Sequence, residues 1–279
     1  MITTLKELLP PAAEGNTAVA GFNTFGFEEA RAIIRAAETA GRPVILMINR
    51  DMARHWPLPL LGPLLRRMAE DAAVPVCVHL DHCSDPKTIR TAMNNGFSSV
   101  MYDGSSLPLE ENIRETGDIV RQAHARGISV EGEIGSVSYS DQPGKTAHVL
   151  TEPDEARRFA AETGVDAAAV SVGSVHRLTR PEAHIRFDLL RRIEEATEVP
   201  LVIHGTSGIP RDEVVRLLPT RVAKFNIGTD LRMAFGRTLR EEMAARPEEF
   251  DKLKLIGRPA RAVEEAALGW LNLLAGKEG

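Results

Sequence analysis

Short apolar runs alternate with amphipathic stretches along this chain. Eight runs have the length and composition of buried strands: TAVAGFN (17–23), PVILMIN (43–49), PVCVHL (75–80), SSVMYD (98–103), ISVEGE (128–133), AAAVSV (167–172), PLVIH (200–204) and VAKFNI (222–227). Helical segments with start signals lie between them. SDPKTIRTAMNNG carries a cap at Asp85, a first-turn Pro86 and a terminal Gly96. TEPDEARRFAAETG and TRPEAHIRFDLLRRIEEA repeat the order of cap, proline, acid and apolar periodicity. Eight strands alternating with helices predict an α/β fold, a (β/α)8 TIM barrel. The reading is one barrel domain over residues 1–279, with a C-terminal helical segment from about residue 232. A doubly wound open sheet would place a Gly-rich fingerprint after the first strand, and none is there.

A barrel of this kind gathers its chemistry where the strands end. Those ends read Asn23, Asn49, Asp81-His82, Asp103, Glu133, His176 just beyond strand six, His204 and Asn226. In the third strand Val76, Val78 and Leu80 share the face expected toward the helices. Cys77, His79 and Asp81 then point to the barrel axis, with His82 just past the strand end. A lone histidine there would read as a satisfied core residue. Three, His82, His176 and His204, converge from strands three, six and seven. Neutral imidazoles meeting at one point suit Zn²⁺, with a fourth position open to substrate. Glu131 and Glu133 share a face of strand five, and Asp103 closes strand four. Such carboxylates can ligate a cation, orient its histidines or move protons, or form a hydrogen-bonded plug in the barrel centre.

HGTSG (204–208) and NIGTD (226–230) follow strands seven and eight. Gly205, Ser207, Asn226 and Thr229 offer N–H groups, hydroxyls and an amide beside a helix start, the usual place for a phosphate. Lys224 shares the inward face of Asn226 and raises a competing chemistry, a Schiff base with a carbonyl substrate. It reads equally as an inward lysine paired with an acid.

Charge and composition narrow the field. With 34 Lys+Arg against 39 Asp+Glu, the formal net charge is −5, and no basic stripe points to nucleic acid. No apolar stretch approaches a membrane span, and the N-terminus lacks a signal-peptide pattern, so the expected location is cytoplasmic. Cys77 and Cys83 are too close in sequence to frame a disulfide scaffold, in keeping with a reducing compartment.

The segments VPVCVHLDHC, GFSSVMYDGSSLPLEENI, VEGEIG, VGSVH, HGTSG and KFNIGTDLRMAF together resemble the class II, zinc-dependent ketose-bisphosphate aldolases, in register from about residue 17 to the C-terminus. The resemblance implies reversible cleavage of a phosphorylated ketose into dihydroxyacetone phosphate, or a related ketone, and an aldehyde through a Zn-stabilised enediolate. It also implies a homodimer or homotetramer. His82, His176 and His204 would hold the zinc, and Asp81 would carry the proton of the aldehyde oxygen. Asp103 and Glu133 match an alternative metal position. Gly205, Ser207, Asn226 and Thr229 match the phosphate-binding groups, and Asn23 and Asn49 stand at the substrate side of the strand ends.

The departures cluster on the ketose-phosphate side. Arg177 replaces the glycine that follows the second histidine, and Asn49 stands where Ser or Thr is usual. The loop glutamate that exchanges the carbon-bound proton is replaced by Asp141, one methylene shorter. Arg258 and Arg261 fall where the family often places a basic group for a second phosphate. The implied enzyme is therefore an aldolase whose substrate differs from the usual hexose bisphosphates, or whose handling of the ketone donor has changed. The competing functions are a Schiff-base lyase through Lys224, a catalytically altered sugar-phosphate-binding barrel, and a metal-dependent isomerase.

Overall fold

The eight apolar runs form parallel strands that pair in chain order and close on themselves. They are β1 (Val19–Asn23), β2 (Val44–Asn49), β3 (Val76–Cys83), β4 (Ser99–Tyr102), β5 (Ser129–Ile134), β6 (Ala167–Val170), β7 (Leu201–Ile203) and β8 (Val222–Ile227). The helices are α1 (Leu5–Glu14), α2 (Phe27–Ala40), α3 (Arg50–His55), α4 (Leu58–Asp71), α5 (Pro86–Met93), α6 (Leu109–His124), α7 (Pro153–Thr163), α8 (Phe187–Ala196), α9 (Arg211–Leu217), α10 (Thr229–Ala245) and α11 (Lys252–Leu274). The computed structural model describes residues 1–141 and 148–276. The fold is a (β/α)8 TIM barrel.

Side-chain parity sorts the two cores as the sequence demands. Val76, Val78 and Leu80 of β3 join the apolar layer between barrel and helices. Cys77 faces inward among Val19, Ile45, Met47, Met101 and Val202. Helix α1 closes the lower end of the barrel. Its Leu5, Leu9 and Ala12 belong to the interior cluster, and the Leu5 N–H donates to Ser129 Oγ at 2.9 Å. Each leucine so buried contributes about 1.5–3 kcal/mol. The C-terminal ends of the strands remain as the open face.

Three local readings change. Strand β3 does not stop at Leu80: it continues to Cys83, with a register shift against β4 between Leu80 and Cys83. His82 therefore lies within the strand, at φ +50°, and this left-handed turn sets the direction of its ring. Helix α8 begins only at Phe187, not near Pro181. The stretch before it is tied down as a connection, Ile185 N–H to Glu213 at 2.7 Å and Arg186 N–H to Val172 O at 2.8 Å. Thr151 does not cap α7, because its hydroxyl donates to Ile134 O at 2.6 Å and Glu152 takes the cap position.

Both cysteines are free and buried, and burial pushes their thiols up to about 12 for Cys77 and about 11 for Cys83. Among the described residues no helix is long and apolar enough to cross a membrane. Residues 277–279, the end of the C-terminal helical segment, lie outside the described residues.

Candidate active site

His82 from β3, His176 from the loop after β6, and His204 at the end of β7 meet at the barrel mouth. The ring centroid of His82 lies 4.9 Å from that of His176 and 4.5 Å from that of His204. One nitrogen from each ring falls within 4.8 Å of the others. His82 Nε2, His176 Nε2 and His204 Nδ1 are all buried and lack a hydrogen-bond partner among the described residues. Each such group costs about 1–3 kcal/mol when left unsatisfied. Three converging in one place fit a cation that accepts all three lone pairs.

The opposite ring nitrogens are engaged. His82 Nδ1 donates to Asp103 Oδ2 at 3.0 Å, and His204 Nε2 donates to Glu131 Oε1 at 2.9 Å. Carboxylates in these places fix the ring orientation and leave the facing nitrogen free for a metal. Burial pushes His176 and His204 well below the usual imidazole range, helped by the charge on His82. Their rings are neutral near pH 7, the form that ligates. Burial also opposes charge on His82, but Asp81, Tyr139, Asp103 and Glu133 outweigh it and hold that ring well above the usual range, so a cation at its Nε2 would take the place of a proton. Burial works against ionised Asp103 too, yet the bond to His82 and its charge keep the carboxyl well below normal. Glu133 is pushed well above it, by burial first and the Asp103 charge second.

His82, Asp103 and Glu133 form a second potential metal group. Glu133 Oε2 stands 3.5 Å from the same His82 Nδ1 that bonds Asp103. The two groups thus use opposite edges of one imidazole.

Asp81 is 3% exposed, and both its oxygens are held by neutral amides. Asn23 Nδ2 donates to Oδ2 at 2.9 Å, and Asn226 Nδ2 donates to Oδ1 at 3.1 Å. The carboxylate is fixed beside His82 without a counter-charge touching it, an arrangement suited to moving a proton. Asn23 and Asn226 thus act first on Asp81, although both line the cavity at the mouth.

Across the mouth, Gly205, Ser207, Asn226, Gly228 and Thr229 line the same cavity at the N-terminus of the long helix α10. Gly205 has φ +68°, and a Cβ there would lie 2.5 Å from Val175 O. Only glycine fits. Ser207 Oγ accepts from the Asp230 N–H at 3.2 Å and ties the β7 turn to α10. Free N–H groups at such a helix start favour an anion. Asn49 also lines the cavity, but its side-chain oxygen caps α3, accepting from Asp51 and Met52 N–H at 3.1 and 3.0 Å.

Asp141 lies 2.7 Å from Arg177 Nη1, so the loop acid and the arginine at the glycine position are partners. Tyr139, which sequence reasoning passed over, stacks on the His176 ring with centroids 4.5 Å apart. Backbone bonds Ser140 N–H to His176 O and His176 N–H to Ser138 O fasten the two loops together. No sequence motif announces this tyrosine; only the pairing of the two loops places it there.

Four candidates fall away from the mouth. Lys224 is fully buried and donates to Glu131 Oε2 at 2.6 Å, the ion pair that an inward lysine requires. His79 is a core residue, with Nδ1 2.8 Å from Ser99 Oγ. Arg258 bonds Glu242 and, with Arg261, lines a groove between α2 and α11.

The sequence model "Fructose-bisphosphate aldolase class-II" matches residues 3–279. The fructose-bisphosphate aldolase of Geobacillus stearothermophilus is 35% identical over 272 residues, covering 96% of this chain and 95% of that protein. The fructose-bisphosphate aldolase of Giardia intestinalis is 32% identical over 290 residues, covering 95% and 90%. Among solved structures, the YdjI aldolase from Escherichia coli K12 superposes with a TM-score of 0.87 at 32% identity, over 98% of this chain and 97% of that one. Likeness over nearly the whole length, in a barrel whose mouth gathers three ligand-ready histidines, has one reading: the chain is a lyase of the class-II fructose-bisphosphate aldolase family.

Proposed function

We propose that the protein is a zinc-dependent aldolase that reversibly cleaves a phosphorylated ketose into dihydroxyacetone phosphate, or a related ketone, and an aldehyde. The observation that carries this reading is the convergence of three buried, unpartnered imidazole nitrogens beside a carboxylate held by two amides. His82, His176 and His204 would hold the zinc, with Asp103 and Glu131 orienting two of the rings. Bound zinc supplies Lewis-acid stabilisation for the negative charge that develops on the ketone oxygens when the carbon–carbon bond breaks.

The remaining steps belong to the chain's own groups. The α10 N-terminus, the Gly205 turn, Ser207 and Thr229 hold the phosphate and so fix the ketone end. Asp81 takes the proton from the hydroxyl that becomes the aldehyde, and returns it in the reverse direction. Its two amide partners keep it aimed while its charge changes. Asp141 exchanges the carbon-bound proton of the ketone fragment, leaving Arg177 to do so.

The test is cleavage of a panel of ketose mono- and bisphosphates by the enzyme as purified, after chelation, and after zinc is restored. Two carbon fragments that vanish with chelator and return with zinc are expected. Cleavage indifferent to chelator would sink the metal reading, and a single isomerised sugar would make the protein an isomerase.

A further inference from the structure

Arg177 occupies a backbone conformation that an arginine adopts only under strain, φ +61°. Its guanidinium reaches away from the β6 edge. Nη2 donates to Asp51 Oδ2 at 3.0 Å, and Nη1 donates to Asp141 Oδ2 at 2.7 Å. Asp51 follows β2, which stands four strands from β6 in a closed barrel of eight, on the opposite side of the mouth. The Arg177–Asp51 pair therefore crosses the opening. It leaves about 60 Å³ of free space there, room for a few waters. Small-molecule sites enclose about 300–1,000 Å³. The Arg177–Asp51 pair stands among the groups that line this small space, where a ketose phosphate would have to be received.

The chemistry of the crossing says what parts it. Side chains of Asp51 and Asp141 are 50% and 48% exposed, and ion pairs in such water contact are weak. A phosphate or carboxylate that can take the planar fork of Arg177 in two bonds competes well against them. Arg50 stands close by, with its guanidinium 5.5 Å from the Tyr139 ring centroid, while that of Arg177 lies 5.3 Å from it. Arg50 has no ion pair among the described residues. The phosphate groups of β7 and β8 account for one anionic end of a substrate. The two arginines over Tyr139 remain to meet another.

We infer that Arg177 is a strap exchanged between protein and substrate: an aldehyde, or the aldehyde end of a ketose, that carries an anionic group takes the guanidinium from Asp51, opening the mouth and setting a preference for acidic aldehydes. This rests on the aldolase reading above. The anion is a phosphate or a carboxylate, and the experiment separates them.

The zinc-loaded enzyme is assayed in the condensing direction, with dihydroxyacetone phosphate and each of three aldehydes: glyceraldehyde, glyceraldehyde 3-phosphate and succinic semialdehyde. Wild type is expected to favour at least one acidic aldehyde over glyceraldehyde in kcat/KM, and the favoured one names the anion. Arg177→Gly, whose backbone suits φ +61° and so folds, should cut that preference at least tenfold. Arg177→Lys, which keeps the charge without the fork, should restore part of it. Asp51→Asn should raise the preference several-fold, because one of the two carboxylates competing for the guanidinium is gone and Asp141 alone remains. A loss of packing would not move Arg177→Gly and Asp51→Asn in opposite directions. An equal preference in wild type and Arg177→Gly overturns the strap, as does a fall in Asp51→Asn. Wild-type silence with all three aldehydes overturns the aldolase reading and the strap with it.

Discussion

Glu131 Oε1 accepts from His204 Nε2 at 2.9 Å while its second oxygen takes Lys224 Nζ at 2.6 Å, with all three groups buried. One carboxylate thereby decides which nitrogen of His204 faces the mouth and also pairs with a fully buried cation, Lys224. Glu131→Gln should lower zinc affinity about 10–100-fold, the usual effect of losing a carboxylate behind a ligand. It should also destabilise the protein by about 3–5 kcal/mol, since Lys224 is left uncompensated. Competition with a chromophoric chelator reads the first effect and thermal melting the second. Unchanged zinc affinity with a lowered Tm would reduce Glu131 to a partner of Lys224.

Asp81 is the residue on which turnover should depend most sharply. Asp81→Asn keeps the shape and removes the proton acceptor, so kcat should fall about 10²–10⁴-fold with zinc content unchanged. Asn23→Ala, which frees only one oxygen of Asp81, should reduce kcat by a smaller factor. Metal analysis alongside steady-state kinetics checks both. Loss of zinc from Asp81→Asn would mean that the carboxylate holds the site together instead of carrying a proton.

Much of this was legible in the chain. Strand periodicity places all eight strands, and their polar ends bring His82, His176 and His204 to one point. Parity assigned Cys77, His79 and Asp81 inward, but could not tell a ligand from a core residue. That distinction came from position: His79 bonds Ser99 through Nδ1 and lies outside both groups that could hold a metal, while the φ +50° turn swings His82 toward the other rings. Glu131 read as one member of an inward pair, and only its two partners give it a place behind His204. Tyr139 and the Arg177–Asp51 crossing were invisible for a different reason. They join loops distant in sequence: Tyr139 and Asp51 carry no periodic or motif signal, and Arg177 stands out only as a departure from the glycine position after His176.

Lys224 tests the rival mechanism directly. Enclosed and paired with Glu131, it should not be trapped by borohydride in the presence of any ketose phosphate. Mass spectrometry of the peptide carrying residue 224 checks this. Lys224→Met should destabilise the fold by about 3–5 kcal/mol by stranding Glu131. Activity per folded molecule should fall no further than zinc loading does. A reduced adduct on Lys224 would establish the Schiff-base lyase and remove the need for the three histidines.

Ser207 separates binding of the ketone end from the chemistry. Its hydroxyl accepts from the Asp230 N–H and lies in the turn that follows His204, so it joins the proposed phosphate site to the α10 start. At the proposed phosphate site, Ser207→Ala would remove one hydroxyl from an anion that backbone N–H groups and the helix terminus otherwise hold. A hydrogen bond to a charged group contributes about 1.5–3 kcal/mol, which corresponds to a rise in KM of roughly 10–150-fold for a phosphorylated ketose. The kcat at saturation should change much less, because neither Asp81 nor the histidines move. Cleavage kinetics on a ketose phosphate decide the matter. A fall in kcat with KM unchanged would show that Ser207 acts at the reacting centre and that the phosphate sits elsewhere on the mouth.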